Sequence, residues 1–537
     1  YDEKIRLVVK ALELKRDEID MATNWLQTEG RAFVIAGKLS GDQDGLQNTK
    51  FDAKWKEDAG ELAMAMALPP SLCYKVLRLM HGDKNAAGMF LFDHYNINSF
   101  LRISFSLIMI QKFFFAIRAF DFHWAHLTNK LEEKKIKFLL KVIFFLLIFF
   151  LFGLLTNYVS IAIYFLYLYL FKKSSSFGLG DTYLTVLAFY LAIADSSKFS
   201  IDNYFNFQFQ PIFFEGTMIP EIFLMLLLSI IFYSAGIEKL SSPIWKKGNG
   251  VKLFFANPKF RKINLEKITQ NKSLMRILNW ITIYIQFFLI FSLIFFHTKF
   301  SVIILLGLIV FLLSLLLFFH FVDLALPCFV MLLATLLYCI YISDEFMILK
   351  LFDYFQNLTI TEKILFCLLF FLISISAINF SIPSKKKIKN VFLSQIYKYS
   401  KICSRNAFGL MHISAYNEDH LSNPISFRIF CKLKNNETIE LFRLFNEDGS
   451  PYLRNTFFLP TVYLSTSFKL LDILLEIEKF GKISSNNHRF LNGYINFLLK
   501  KESIFHNNIN KISLKIIQFN LYDYKYFNCK SNLDKNM

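Results

Sequence analysis

The chain has 537 residues, is 54% hydrophobic and 18% aromatic with 65 Phe, and sets 60 Lys and Arg against 42 Asp and Glu for a net charge of +18. That much apolar material excludes disorder. The apolar residues stand in unbroken runs, as from Leu139 to Phe171, which excludes a string of ordinary soluble domains. Roughly 20 such residues span a bilayer.

The basic residues lie between and after the apolar runs and read as membrane-flanking charge. There is no basic stripe interleaved with aromatics and no zinc-finger spacing, so no nucleic-acid partner is expected. Seven scattered cysteines without a CxxC pair predict neither a disulfide framework nor a zinc site. Single histidines in the last third, such as His412 and His488, lack metal-ligand spacing, so no metal is expected. Phosphate-binding loops, a nucleophile elbow and a dinucleotide fingerprint are absent.

Residues 1–95 differ from the rest. They hold 11 Ala and 4 Phe, whereas the remainder holds 14 Ala and 61 Phe. Ile5, Val8, Leu12 and Ile19 fall at helical spacing among charges, so this stretch reads as a soluble helical segment. It is either an appended regulatory or binding domain or a piece of another gene product joined to the chain. No signal peptide precedes the first apolar run, and the native start is expected upstream of Tyr1.

From Asn96 to Phe120 the chain is apolar but interrupted by Arg102, Lys112 and Arg118, which predicts an interfacial helix or a membrane helix enclosed in a bundle. The run Leu139 to Phe171 is too long for one span, and Gly153, Thr156 and Asn157 divide it into two helices. Thr182 to Ala194 is a short membrane helix, and Met218 to Lys239 is the next. After a basic loop come Ile277 to Phe296, Ser301 to Phe321, Leu324 to Ser343 and Ile364 to Phe380. The positive-inside rule puts the loops near Lys134, Lys172, Lys246 and Lys385 on one side, the cytoplasmic one, together with the C-terminal region. In that region Ser426 to Leu433 and Thr438 to Leu444 alternate around a polar turn and predict a β-hairpin. Helical periodicity returns over Leu464 to Phe480 and Phe490 to Lys500, and Ile512 to Tyr522 reads as a closing strand.

The expected fold is an all-α polytopic membrane bundle of about 8–9 transmembrane helices over residues 96–384, with a small α+β cytoplasmic region at 385–537. The expected partners are the lipid bilayer and a soluble protein bound by the C-terminal region.

The most informative stretch runs from Tyr233 to Gly248, where a membrane helix ends in Glu238-Lys239, followed by a Pro turn, Trp245 and Gly248. A boundary lysine commonly snorkels to the headgroups. One turned into the bundle is instead a candidate base. His320 and Asp323, three apart on an apolar helix, share a face and suit proton relay or the holding of a quinone oxygen, and Pro327 below them opens or kinks that helix. Asp181 caps a short helix or makes a polar contact with Lys239.

Gly236-x-x-Lys239-Leu240, then Trp245, then Gly248 resembles the helix end of the horizontally transferred transmembrane (HTTM) domain family, which includes the vitamin K-dependent gamma-glutamyl carboxylases. Further motifs agree in order: Gly180-Asp181-Thr182-Tyr183-Leu184, Ser200-Ile201-Asp202, Phe319-His320 to Asp323, and Asn406 to His412. The resemblance extends over about residues 98 to 525. It implies that Lys239 deprotonates a membrane-soluble hydroquinone, that His320 is an intramembrane histidine of the site, with Asp323 beside it, and that Asp181, Glu238 and Trp245 contact substrate. The implied cosubstrate is a reduced quinone, and the implied setting is a bacterial inner membrane. The chain departs from the carboxylases in having Gly180-Asp181 where they carry a further histidine, and in its short C-terminal region, so glutamate carboxylation itself is not expected. The rival expectation is a non-catalytic membrane anchor or scaffold that recruits a partner through the C-terminal region.

Overall fold

A computed structural model of the chain describes residues 54–63, 73–74, 77, 84–118, 120, 124, 127, 130–174, 179–196, 200–205, 214, 217–256, 266–295, 298–319, 322–341, 355–356, 358–382, 390–410, 425–443, 488, 491–493, 495–496, 499, 509–520, 525–527 and 533–534. The chain divides into two compact units: residues 1–96 with 215–217, and 97–214 with 218–537. In the first, residues 54–63 are helical, and Lys84 pairs with Glu61 and, at 3.6 Å, with Asp58.

The second unit is mostly helical. Helix α1 (Lys84–Arg118), from Ile97 on, is followed by α2 (Lys130–Phe152), α3 (Thr156–Lys173), α4 (Leu179–Ile193), the one-turn α5 (Ile201–Tyr204) and α6 (Ile219–Ser241). Next come the short α7 (Pro243–Lys246), α8 (Gly250–Ala256) and α9 (Glu266–Gln270), then α10 (Lys272–Phe295), α11 (Thr298–Phe318), α12 (Val322–Tyr341), α13 (Ile360–Phe380) and α14 (Val391–Phe408).

Among the described residues, four helical stretches are long and apolar enough to cross a membrane: Ile219–Ser241, Lys272–Ile290, Ser301–Phe318 and Ile360–Phe380. Gly180–Ile193 and Leu324–Cys339 are shorter apolar helices. The first of the four is central, with 89% of its most apolar stretch buried against 28%, 39% and 33% in the others. Those others turn apolar side chains outward. Ile303, Val310 and Leu317, one heptad apart on α11, are each 66% exposed, which suits a lipid-facing surface and would be a liability in water.

The interrupted stretch at Arg102 and Lys112 is a helix that packs one face into the bundle and turns the other, with Phe100, Leu107 and Phe114, outward. Leu101, Phe105, Met109 and Phe113 of α1 are fully buried, and Arg102 beside them donates to the Ser196 carbonyl at 2.5 Å. The long run 139–171 breaks at Gly153 to Leu155, where the backbone turns through positive φ. Helix α3 then begins without a local side-chain cap. Its orphan amides are satisfied by Asp202 of α5, which accepts from Leu155 N at 2.9 Å and from Thr156 N at 2.8 Å. The segment around Asp202 is thus a one-turn helix carrying a buried cap for its neighbour. The start of α13 is fixed by a capping box between Thr359 and Glu362, which begins the helix four residues before the apolar run suggests.

The β-hairpin is present as β1 (Ile425–Leu433) and β2 (Thr438–Arg443), turned at Asn436 with φ 65°. With β3 (Ile509–Asn520), β4 (Lys525–Phe527) and β5 (Leu533–Asp534) they form an antiparallel sheet ordered β2-β1-β3-β4, β5 pairing with β3. The closing strand expected at Ile512 to Tyr522 is β3, which pairs with β1 through Cys431↔Ile512 and Ile429↔Leu514. The helix expected over 464–480 lies outside the described residues, and of the one over 490–500 only short helical pieces are described.

Helix α14 is strapped to the bundle by its C-terminal end. Asn390 caps its start by accepting from Phe392 N and Leu393 N, and Gly409 ends it at φ 64° with N–H bonds back to Arg405 and Ser404. There Thr182 of α4 donates to the Gly409 carbonyl at 3.2 Å, Tyr164 of α3 donates to the Ala407 carbonyl, and Phe408 packs edge-on against Phe189. A Cβ on Gly409 would lie 2.7 Å from Thr185 Cγ2 and occupy a left-handed conformation. Gly409→Ala is therefore expected to lower stability by about 1–3 kcal/mol, read as an earlier thermal transition in detergent; an unchanged transition would show that the strap bears no load.

Candidate functional site

Two polar centres lie at opposite ends of α6. The first is its C-terminal end. Gly236 and Lys239 stand three residues apart, hence on one face, and that face meets α10. A Cβ on Gly236 would lie 3.0 Å from Phe287 N and 3.1 Å from Phe287 Cα, so the absent side chain lets the two backbones close up. One turn further on, Lys239 meets Gln286: its Nζ donates to Gln286 Oε1 at 2.8 Å and lies 3.4 Å from the Ala235 carbonyl. The Gly-x-x-Lys spacing thus has a direct physical reading, in which the glycine brings α10 near and the lysine uses the proximity.

Lys239 does not snorkel. Its residue is only 4% exposed, and its Nζ lies 5.3 Å from the Trp245 ring centroid, a distance at which the ring face would favour the charge the amine gains on protonation. Trp245 is itself buried, and its carbonyl accepts from Asn279 of α10 at 2.9 Å, while Asn279 Oδ1 receives Val251 N at 3.3 Å. The chain between α6 and α8 is in this way folded back over the lysine. Glu238, the other half of the pair, is buried as well, and Ser241 donates to its carbonyl. The partial burial of Tyr397 on α14, and then the charge of Glu238, push that phenol above its ordinary range.

Asp181 is held by residues of α1, α3 and its own helix. It accepts from Lys112 of α1 at 2.6 Å and from Tyr167 of α3 at 2.6 Å, while its carbonyl receives Thr185 Oγ1 at 2.7 Å. It sits in the first turn of α4, where a negative charge is favoured, and it compensates the lysine that interrupts α1. His320 lies outside the described residues. Asp323 is in the first turn of α12, and its side chain is outside them too. Pro327 is accommodated inside α12.

The second centre was not singled out from the sequence. Near the start of α6, Glu221 Oε1 accepts from Tyr190 of α4 at 2.9 Å. The Tyr190 and Tyr338 hydroxyls are 2.9 Å apart, and both reach Asn98 Oδ1 of α1, Tyr338 at 2.5 Å. Asn98 Nδ2 donates to the Asp195 carbonyl at 2.9 Å. Four helices, α1, α4, α6 and α12, thereby meet at one hydrogen-bonded knot whose side chains are all at or below 1% exposure. One signal pointed to it: a carboxyl directly after Pro220 in a run that is otherwise apolar. The members of the centre lie up to 240 residues apart, which no local pattern reveals. Among the described residues no group of three or more His, Cys, Asp or Glu is placed to hold a metal ion.

Tyr190 of α4 meets Glu221 while Tyr183, two turns earlier, packs against Phe232, so α4 and α6 run antiparallel and the Lys112–Asp181 pair lies toward the Lys239 end. Glu221 and Lys239 are 18 residues apart, about 27 Å along a helix and close to the hydrocarbon thickness of a bilayer. No family model matches the chain, and no curated protein or solved structure matches it either.

Glu221→Ala is expected to cost about 1–3 kcal/mol by stranding the phenols, and Glu221→Gln less, both read by thermal unfolding in detergent. Gly236→Val should part α6 from α10 and lower stability by about 1–3 kcal/mol; wild-type stability in the valine variant would mean that the close approach is not required.

Proposed function

We propose that the chain is a multi-pass membrane enzyme of the HTTM kind, in which Lys239 is the base for a membrane-soluble hydroquinone or a lipid-like hydroxyl compound. The observation that carries this reading is the enclosed position of Lys239 at the end of the central span, against a neutral acceptor, Gln286, and an aromatic face, Trp245. An amine kept from water near the membrane edge meets a lipophilic acid O–H where the substrate resides. Trp245 offers a ring surface for an aromatic headgroup, and Gln286 orients the amine. The proton passes from the substrate oxygen to Lys239 Nζ, leaving an oxyanion beside the newly formed ammonium.

The same reading assigns about eight or nine spans, taking the shorter apolar helices and those interrupted by Arg102, Lys112 and the lysines of α2 as members of the membrane bundle. It turns the Lys239 end and the C-terminal sheet toward the cytoplasm, since the lysine-rich loops gather there. His320 and Asp323 belong to the site in this reading as proton or ligand contacts.

The test is oxygen uptake and quinol oxidation by the purified full chain in proteoliposomes containing a reduced naphthoquinone. The wild type is expected to accelerate both. Lys239→Ala should lose at least about 100-fold, the scale of a general base, while eluting as folded protein. Equal turnover by Lys239→Ala would remove the lysine from the mechanism, and no turnover by the wild type would count against a quinol as the substrate.

A further inference from the structure

Helix α14 follows the span α13 after the basic residues Lys385, Lys386, Lys387 and Lys389. Its C-terminal half is held against α3 and α4 by Gly409, Ala407 and Phe408, at the membrane end that also holds Asp181 and Lys239. Ser400, Ser404 and Phe408 are buried and define its inner face. The outer face is unusual for a water-exposed helix. Val391 is 74% exposed, Phe392 68%, Tyr399 66% and Ile402 45%. At 100° per residue these four fall within about one third of the helix circumference, a sector in which the exposed Gln395 and Asn406 are the polar members. Lys398, Lys401 and Arg405, all exposed, line one flank of that apolar stripe.

An apolar stripe with aromatics, bordered by cations, on a helix too polar to span is the pattern of a helix lying in the membrane interface. The occupant follows from continuity and charge: α14 begins ten residues after a membrane-spanning candidate ends, so a bilayer surface is already within reach, and its cations match anionic headgroups. We propose that α14 lies along the bilayer surface at the Lys239 end, with Val391, Phe392, Tyr399 and Ile402 in the acyl boundary and Lys398, Lys401 and Arg405 on the phosphates of anionic phospholipids. It would roof the approach to the Lys239 centre, Tyr397 on its inner side feeling the charge of Glu238.

The proposal rests on the bundle being membrane-embedded, and its test separates the two. The full chain, with Cys367 and Cys403 replaced by serine, receives an environment-sensitive fluorophore at Phe392→Cys, Ile402→Cys, Val310→Cys or Lys434→Cys. Each is placed in nanodiscs of phosphatidylcholine with or without phosphatidylglycerol and quenched with aqueous iodide. Position 310, on a lipid-facing span, must be shielded in every disc; if it is not, the membrane reading fails first. Given that, positions 392 and 402 should be shielded relative to 434. Lys398→Gln/Lys401→Gln/Arg405→Gln should lower the preference for phosphatidylglycerol discs roughly tenfold or more. Labels at 392 and 402 quenched as freely as at 434 would overturn the proposal. So would shielding that already exists in detergent and disappears on dilution to monomer, because it would make a second copy the occupant.

Discussion

A charged or hydrogen-bonding side chain inside an apolar bundle has no water to turn to, so its partner must come from the protein. That constraint organises the helical unit. Lys112 is answered by Asp181 and Tyr167, Arg102 by the Ser196 carbonyl, Glu221 by Tyr190, and Lys239 by Gln286. Each pairing joins residues distant in sequence, so each fixes the placement of one helix against another. Dispersion packing among Phe and Leu side chains tolerates small shifts, whereas a 2.8 Å bond from the enclosed Lys239 Nζ does not.

The central helix α6 shows how the constraint becomes a division of labour. At one end a carboxyl, two phenols and an amide tie α1, α4, α6 and α12 together, and at the other a lysine is held between α10 and the refolded segment bearing Trp245. The first centre ties four helices through hydrogen bonds among buried groups and reads as a fastening. The second places a reactive amine beside a neutral amide and an aromatic ring, at the end of a span. Its close approach is set by Gly236, its depth by Trp245 and Asn279, and its flank by α14 through Tyr397.

Much of the helical architecture was legible because a membrane span announces itself by run length. The break in the run 139–171, the helices ending near Lys239 and Phe380, the β-hairpin and its closing strand all follow from residues within a few positions of one another. The cationic interruptions of α1 gave no hint of their partners, and that of Lys112 is Asp181, some 70 residues on. Asp202 capping α3 and Asn98 meeting Tyr338 are equally non-local. The site was legible by half: Gly236, Lys239 and Trp245 stand in one short motif, but Gln286, which holds the lysine, sits in an apolar helix where a lone glutamine carries no distinguishing pattern. Glu221 is an acid in an otherwise apolar run, but its partner Tyr190 stands on another helix, 31 residues earlier.

The central claim is that Lys239 is withdrawn from water and held by Gln286. The most direct measurement is lysine footprinting of the full chain in lipid with a water-soluble amine reagent, read by mass spectrometry, with the exposed Lys246 as internal reference. Lys246 should label fully while Lys239 stays unmodified, and Gln286→Leu should make Lys239 reactive. Labelling of Lys239 at the rate of Lys246 in the wild-type chain would contradict the account, returning the lysine to the headgroups as an ordinary boundary residue.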